Sequence, residues 1–206
     1  NVNDLSTYED LANEKWKNRL LIRSSSNSYN QALMSSLIAN LGSDVAEDWS
    51  TKIVSNLARE PKGNDRDQVK AIASGQGDIA VVNSYYIGLL LSSEKEEELK
   101  AGNSVGVFFP NQAENQRGAH VNVSGIALTK NAPNRENAIK LISFLTSQSA
   151  QQTYVNNTYE YSINSSVEPN EIVKSWGDFK KDKLDLNMLG VKRNEAIRIF
   201  DKTGWK

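Results

Sequence analysis

Short apolar runs alternate with segments of helical periodicity along this sequence, and that alternation limits the folds open to it. The runs NRLLIR (18–23) and DIAVV (78–82) are continuous and rich in branched residues. Such runs are typical of strands buried on both faces of a parallel sheet. Each is followed by a polar turn and a helical pattern. The order strand, helix, strand, helix predicts an α/β architecture with helices covering the sheet.

The remaining elements are predicted from capping residues and periodicity. The N-cap candidates are Ser26, Asn27 or Ser28 for a helix over 29–42 that ends at Gly42, Ser43 or Asp44 for 43–57, and Asn64 or Asp65 for a helix within 61–77. Further strands are predicted at 104–110 and 120–129, and further helices over 134–155 and 193–202.

Composition excludes several classes of function. The chain has 24 basic and 25 acidic residues and a formal net charge of −1, which argues against a nucleic-acid binder. No apolar run approaches the roughly 20 residues that cross a bilayer, so we expect no membrane insertion of this chain. Because the chain contains no cysteine, disulfides, thiolate metal sites and cysteine nucleophiles are excluded.

Enzyme motifs are missing from the sequence. There is no G-x-S-x-G elbow, H-E-x-x-H pair or phosphate-binding P-loop. The single histidine, His120, begins the apolar alternation of HVNVSGIAL and is interpreted as a structural residue at a strand start or hinge. The carboxylates fall on predicted helix faces and turns, where solvated surface is the expected role. We therefore expect no enzymatic activity.

Three tyrosines occupy similar positions. Tyr85 and Tyr86 follow DIAVVNS, and Tyr29 follows LLIRSSSNS, so all three open helices directly after predicted strands. Neighbouring side chains at a helix start diverge by only about 100°, so Tyr85 and Tyr86 can reach one ligand. In open α/β sheets, ligands bind at the carboxyl ends of strands. This placement predicts a ligand site at Tyr29, Tyr85 and Tyr86.

Phenols in such a cluster permit two kinds of ligand. Ionised phenol oxygens are hard donors, suited to a small and highly charged ion, and three of them would balance the charge of ferric iron. Alternatively, the ring faces could bind a sugar or an aromatic ligand. The residues alone leave both possibilities open.

Three ordered segments carry a family resemblance: LSTYEDLANEKWKNRLLIRSSSNSYNQAL (5–33), PKGNDRDQVKAIASGQGDIAVVNSYYIG (61–88) and HVNVSGIALTKNAPNRENAIKLISFL (120–145). With them the chain resembles, essentially end to end, the periplasmic ferric-ion-binding proteins of bacterial ABC transporters, in particular the cyanobacterial iron-deficiency-induced type. The resemblance implies a two-lobed type II periplasmic binding protein fold with a hinge, a periplasmic location, and an ABC transporter permease as partner.

The resemblance also implies a ligand set. The paired tyrosine ligands of the family match Tyr85 and Tyr86, and the additional cyanobacterial tyrosine ligand matches Tyr29, with Fe3+ as the bound ion. Ser26, Asn27 and Asn83 match outer residues that bind an accompanying anion or orient the tyrosines. The alternative left open is a binding protein of this fold for an organic ligand such as a sugar or polyamine.

One departure from the family concerns the first lobe. By resemblance, residues 1–117 form the second lobe, 118–168 the hinge strand and the returning part of the first lobe, and 169–206 helices that pack back on the second lobe. The start of the first lobe has no match here. We therefore expect that an amino-terminal lobe segment, in the same protein or in a separate chain, completes the structure, because apolar strands such as VNVSGIAL would otherwise have an uncovered face.

Overall fold

A computed structural model describes residues 2–206 of the chain. They divide into two compact units, one comprising residues up to Asn122 together with Phe179–Lys206, the other Val123–Asp178. This division does not test the lobe boundaries expected from the sequence, which stay a prediction. Among the described residues, no helix is both long and apolar enough to span a membrane.

The first unit contains a small parallel sheet and six α-helices. Strand β1 (Leu20–Leu21) pairs with β2 (Ile79–Ala80), with Leu20 opposite Ile79 and Leu21 opposite Ala80. The helices are α1 (Ser28–Leu41), α2 (Ser43–Asn56), α3 (Asp65–Ala73), α4 (Tyr85–Leu91), α5 (Glu96–Asn103) and α9 (Asn187–Thr203). Three short 3-10 helices precede β1, at Val2–Asp4, Glu9–Ala12 and Glu14–Trp16.

Local capping explains where these helices begin and end. The Asn27 side chain caps α1 by accepting hydrogen bonds from the backbone of Tyr29 and Asn30, and α1 ends at Gly42, whose φ of 89° suits glycine. Asn64 caps α3 in a reciprocal capping box with Asp67. These capping predictions are confirmed.

The prediction of Ser43 or Asp44 as the cap of α2 is wrong. Gly42 occupies the cap position and offers no side chain to the helix. The Ser43 hydroxyl instead donates to the Glu195 carboxylate on α9. A tertiary hydrogen bond has thus replaced the local one.

The core of the first unit lies among α1, α2 and α9. Leu37 of α1, Ile53 of α2 and Phe200 of α9 are almost completely buried in one apolar cluster. Trp205 closes this cluster, its ring centroid 4.8 Å from that of Phe200, and its indole N–H donates to the backbone oxygen of Arg23 at 3.1 Å. The core therefore also fixes the segment that leaves β1.

The second unit contains α6 (Arg135–Leu145), α7 (Gln148–Thr158) and α8 (Glu171–Lys174). Val155 and Val173 are buried within it. Apolar side chains remain exposed on α6 and on the preceding segment: Val123 (65%), Ile126 (51%), Leu141 (52%) and Phe144 (58%). Large exposed apolar patches are a common mark of an interaction face.

The predicted strands at 104–110 and 120–129 are not formed, and this prediction is wrong for the described residues. Apart from β1 and β2, residues 2–206 show only isolated bridges, such as Ala119 with Lys181. A strand is stabilised by pairing, and the apolar alternation of these segments finds no neighbouring strand to pair with.

Truncation in the core should lower stability. Leu37 has no exposed surface, so Leu37→Ala leaves a cavity between α1 and its neighbours and should reduce the free energy of unfolding by about 2–5 kcal/mol. Urea denaturation followed by tryptophan fluorescence measures the change. The matched control is Val191→Ala on α9, where the side chain is 69% exposed. A loss as large at Val191 as at Leu37 would contradict this assignment of the core.

Candidate metal centre

The two strands of the sheet end next to each other. The chain leaves β1 at Leu21 and enters α1 at Ser28, and it leaves β2 at Ala80 and enters α4 at Tyr85. Because the strands are parallel and paired in register, both turns and both helix starts lie at one edge of the sheet. This edge is where the sequence placed the three tyrosines.

The structure brings the three tyrosines together. The hydroxyl oxygens of Tyr29 and Tyr85 lie 3.1 Å apart, although the residues are 56 positions apart in the chain. The rings of Tyr85 and Tyr86 are stacked, with centroids 4.2 Å apart and planes at 30°. All three residues are partly buried. We name this group the tyrosine cluster (Tyr29, Tyr85 and Tyr86).

The phenols of α4 resist ionisation in this setting. Burial raises the pKa of Tyr85 far above its ordinary value, and the hydrogen bonds to the Tyr29 and Tyr86 hydroxyls raise it further. Burial also raises the pKa of Tyr86, with a smaller contribution from the Asp65 carboxylate. At neutral pH these two phenols are therefore protonated, and a cation bound among them would have to displace protons.

The three outer residues predicted around the cluster differ in the hydrogen bonds that their side chains make. Ser26 is exposed, and its hydroxyl lies 3.0 Å from that of Ser24. The Asn27 oxygen is engaged in capping α1. The oxygen of the Asn83 side chain accepts from the amide of Asn122 at 2.9 Å, whereas its own Nδ2 is buried without a hydrogen-bond partner. Asn83 thus holds an unused donor two residues before Tyr85.

His120 lies one step further from the cluster. Its Nε2 is 3.2 Å from the oxygen of Asn122, the residue that donates to Asn83. Burial lowers the pKa of His120 to about 4, so the imidazole is uncharged at neutral pH. His120 therefore supports the Asn122 side chain without adding charge.

Arg23 and Asp65 are two site residues that the sequence did not reveal. The Arg23 guanidinium forms an ion pair of 2.5 Å with Asp65, whose side chain is only 2% exposed. The same guanidinium lies 5.8 Å from the ring centroid of Tyr29. The sequence predicts Asp65 only as a possible cap of α3, and no local signal points to a partner 42 positions earlier. Among residues 2–206, no group of three or more His, Cys, Asp or Glu side chains is placed to hold a metal ion.

Titration of the metal-free protein can test the environment of the tyrosine cluster. Because burial raises the pKa values of Tyr85 and Tyr86, their phenolate absorbance should develop well above the ordinary midpoint of about 10. Tyr85→Phe should remove part of the phenolate absorbance that develops at high pH, and ultraviolet difference spectra recorded against pH measure this loss. The control Tyr8→Phe removes a different phenol that ionises at high pH, since burial raises the pKa of Tyr8 to about 12. If Tyr85→Phe removed absorbance near pH 10 instead, the buried hydrogen-bonded cluster would be contradicted.

Comparison with known proteins agrees with the fold. Iron uptake protein A1 of Synechocystis sp. is 48% identical over 203 residues, which are 98% of this chain and 56% of that protein. The Fe(3+)-binding periplasmic protein of Serratia marcescens is 26% identical over 198 residues, or 95% of this chain and 55% of that protein. The chain thus spans little more than half the length of these relatives.

Solved structures show the same fold, the type II fold of periplasmic solute-binding proteins. The Trichodesmium protein IdiA (FutA), solved in complex with iron and citrate, superposes with a TM-score of 0.96 at 46% identity, covering 100% of this chain and 65% of that one. The ferric binding protein from Campylobacter jejuni gives 0.95 at 38% identity, with the same coverage. The family model for bacterial extracellular solute-binding proteins matches residues 2–181. This chain therefore belongs to the bacterial extracellular solute-binding proteins.

Proposed function

We propose that this chain is part of the substrate-binding component of an ABC-type iron importer, and that it binds ferric iron through the phenol oxygens of Tyr29, Tyr85 and Tyr86. The observation that carries the proposal is the approach of the Tyr29 and Tyr85 hydroxyls to 3.1 Å, with Tyr86 stacked beside them. Side chains from two separate strand–helix junctions converge on one point with their oxygens, and a small cation is the ligand that such convergence suits.

The charge of the bound ion follows from the donors. Three phenolates carry three negative charges, which ferric iron balances and which ferrous iron or zinc would leave in excess. Phenolate oxygen is a hard donor and favours a hard, highly charged ion. A trivalent ion also supplies the electrostatic energy needed to displace protons from phenols whose pKa values are raised.

The names of relatives support the same substrate. The Synechocystis relative is called an iron uptake protein, that of Serratia marcescens an Fe(3+)-binding periplasmic protein, and the Trichodesmium structure contains iron and citrate. Because this chain spans 55–65% of these proteins, the activity of the complete protein is part of the proposal.

An anion would complete the site. The buried Nδ2 of Asn83 lacks a hydrogen-bond acceptor, and an unsatisfied buried donor is costly. A carbonate-like or carboxylate anion that accompanies the iron would supply an acceptor there. Ser26 and Asn27, at the start of α1, are the other residues proposed to face such an anion.

The importer needs partners beyond these residues. We propose that an amino-terminal lobe segment, in the same or a separate chain, covers the apolar surface of the second unit and closes over the iron, which excludes water and adds ligands. The exposed side chains of Ile126, Leu141 and Phe144 support this. The closed protein would deliver iron in the periplasm to an ABC transporter permease and catalyse no reaction.

Binding of an organic ligand such as a sugar or polyamine is the alternative from the same family. Stacked Tyr85 and Tyr86 rings would offer a sugar a partly covered face, but the hydroxyl of Tyr85 is directed to that of Tyr29. The convergence of the phenol oxygens favours iron over an organic ligand. Calorimetric titration that detects tight sugar or polyamine binding and none of ferric citrate would reverse this choice.

Phenolate ligation should be visible by eye. The complete gene product, titrated with ferric citrate, should develop a phenolate-to-iron charge-transfer band in the visible range, and Tyr85→Phe or Tyr86→Phe should weaken and shift it because one of three donor oxygens is lost. Absorbance spectroscopy measures the band. The matched control Tyr154→Phe removes an exposed phenol of the second unit that donates to Glu160. A folded wild-type protein that stays colourless with ferric citrate would refute the proposal.

Acid should weaken iron binding. Since the pKa values of Tyr85 and Tyr86 are raised, each phenol that binds iron releases a proton over the neutral range, so affinity rises with pH and falls as pH falls. The expected slope is about tenfold per pH unit for each proton released. Competition titrations against citrate at several pH values, corrected for the ionisation of citrate, measure it. Affinity that is flat between pH 8 and pH 5 would be incompatible with direct phenolate ligation.

A further inference from the structure

One partly buried ion pair joins the turn after β1 to the start of α3, next to the tyrosine cluster. Arg23 follows β1, and Asp65 is the first residue of α3. Their side chains meet at 2.5 Å, and Asp65 is almost fully enclosed. Buried pairs of this kind contribute little net stability compared with apolar residues of similar size, so their position is more informative than their strength.

Arg23 contacts one tyrosine of the cluster, and Asp65 contacts the backbone that leads into the other two. The Arg23 guanidinium lies over the Tyr29 ring at 5.8 Å, within reach of a cation–π interaction. The second oxygen of the Asp65 carboxylate accepts from the backbone N–H of Asn83 at 3.3 Å, just before Tyr85 and Tyr86. The pair thus connects the start of α1 to the start of α4.

The Arg23 guanidinium makes few contacts. The Arg23 Nε–H is buried without a hydrogen-bond partner in the part of the chain that the structure describes. The contacts that orient it are the Asp65 carboxylate and the Tyr29 ring. The backbone oxygen of Arg23 accepts from Asn30 and Trp205, which fixes the position of its main chain. Moving the guanidinium would therefore move the Tyr29 ring against the other two phenols.

We propose that Arg23 is a positioning residue for ferric iron: through its ion pair with Asp65 it sets the Tyr29 phenol against Tyr85 and Tyr86. This inference rests on the proposed function of the tyrosine cluster. It adds a residue that touches no metal but determines how well three phenol oxygens fit one ion. Outer partners that orient metal ligands commonly change affinity by about 10–100-fold when replaced.

A second ion pair provides a matched control. Arg19 and Asp78 meet at 2.6 Å at the opposite ends of the same two strands, where Arg19 also covers the ring of Trp16. Both of its partners are substantially exposed, and both lie at the edge of the sheet away from the cluster. Both pairs join an arginine to an aspartate and lie beside the sheet. They differ because only the Arg23–Asp65 pair adjoins the tyrosine cluster.

The test compares Arg23→Met/Asp65→Asn with Arg19→Met/Asp78→Asn in the complete gene product. Removing both charges avoids an uncompensated buried carboxylate, and an asparagine at 65 can still accept the Asn83 N–H. The Arg23 variant should bind ferric citrate at least about tenfold more weakly and show a displaced charge-transfer band, while the thermal midpoint stays close to wild type. The Arg19 variant should keep wild-type affinity and spectrum.

The outcomes separate the two proposals. A wild-type protein without the band would refute phenolate ligation itself. A wild-type protein with the band, and an Arg23 variant with unchanged affinity and band, would overturn the positioning role alone. If the double variant does not fold, Arg23→Lys decides: it keeps a charge opposite Asp65 but not the planar face over Tyr29, so it should fold and shift the band, and an unchanged spectrum would overturn the role.

Discussion

Parallel pairing of β1 with β2 is the constraint on which the site depends. Only two residues of each strand pair, yet this register brings the turns after Leu21 and Ala80 to one edge of the sheet. The helices α1 and α4 then begin side by side, and with them Tyr29 and Tyr85. The core of α1, α2 and α9 includes Leu20 of β1, so apolar packing helps to determine the geometry of the phenols.

The tyrosine cluster combines burial with a requirement for charge. In the absence of metal, hydrogen bonding between neutral hydroxyls satisfies the phenols, and burial raises the pKa of Tyr85 and of Tyr86. A cation of high charge can reverse that preference, whereas a weakly charged one gains too little from the same oxygens. The proposed selectivity for a trivalent ion rests on the cost of ionising the donors, together with the number of donors.

Structural features with a local cause could be predicted from the sequence, whereas features that depend on tertiary contacts could not. The caps Asn27 and Asn64 follow from residue type and spacing, and the position of the tyrosines follows from strand–helix order. The cap expected at Ser43 is displaced because its hydroxyl donates to Glu195, 152 positions away. The Arg23–Asp65 pair is equally non-local.

The strands expected at 104–110 and 120–129 fail for a related reason. Alternating apolar residues indicate a strand only if a neighbour supplies backbone partners, and among the described residues none does. The exposed side chains of Val123 and Ile126 retain the pattern of a strand without its pairing. The family resemblance supplied the proposed substrate and the type II fold, whereas periodicity alone predicted only an α/β architecture.

The central claim is that one ferric ion contacts three phenol oxygens at the carboxyl ends of β1 and β2. Anomalous diffraction at the iron absorption edge, from crystals of the complete gene product grown with ferric citrate, tests it most directly. We expect a single strong peak in bonding contact with the oxygens of Tyr29, Tyr85 and Tyr86. A peak bound elsewhere, or iron held by citrate alone with the three hydroxyls still bonded to one another, would contradict the account.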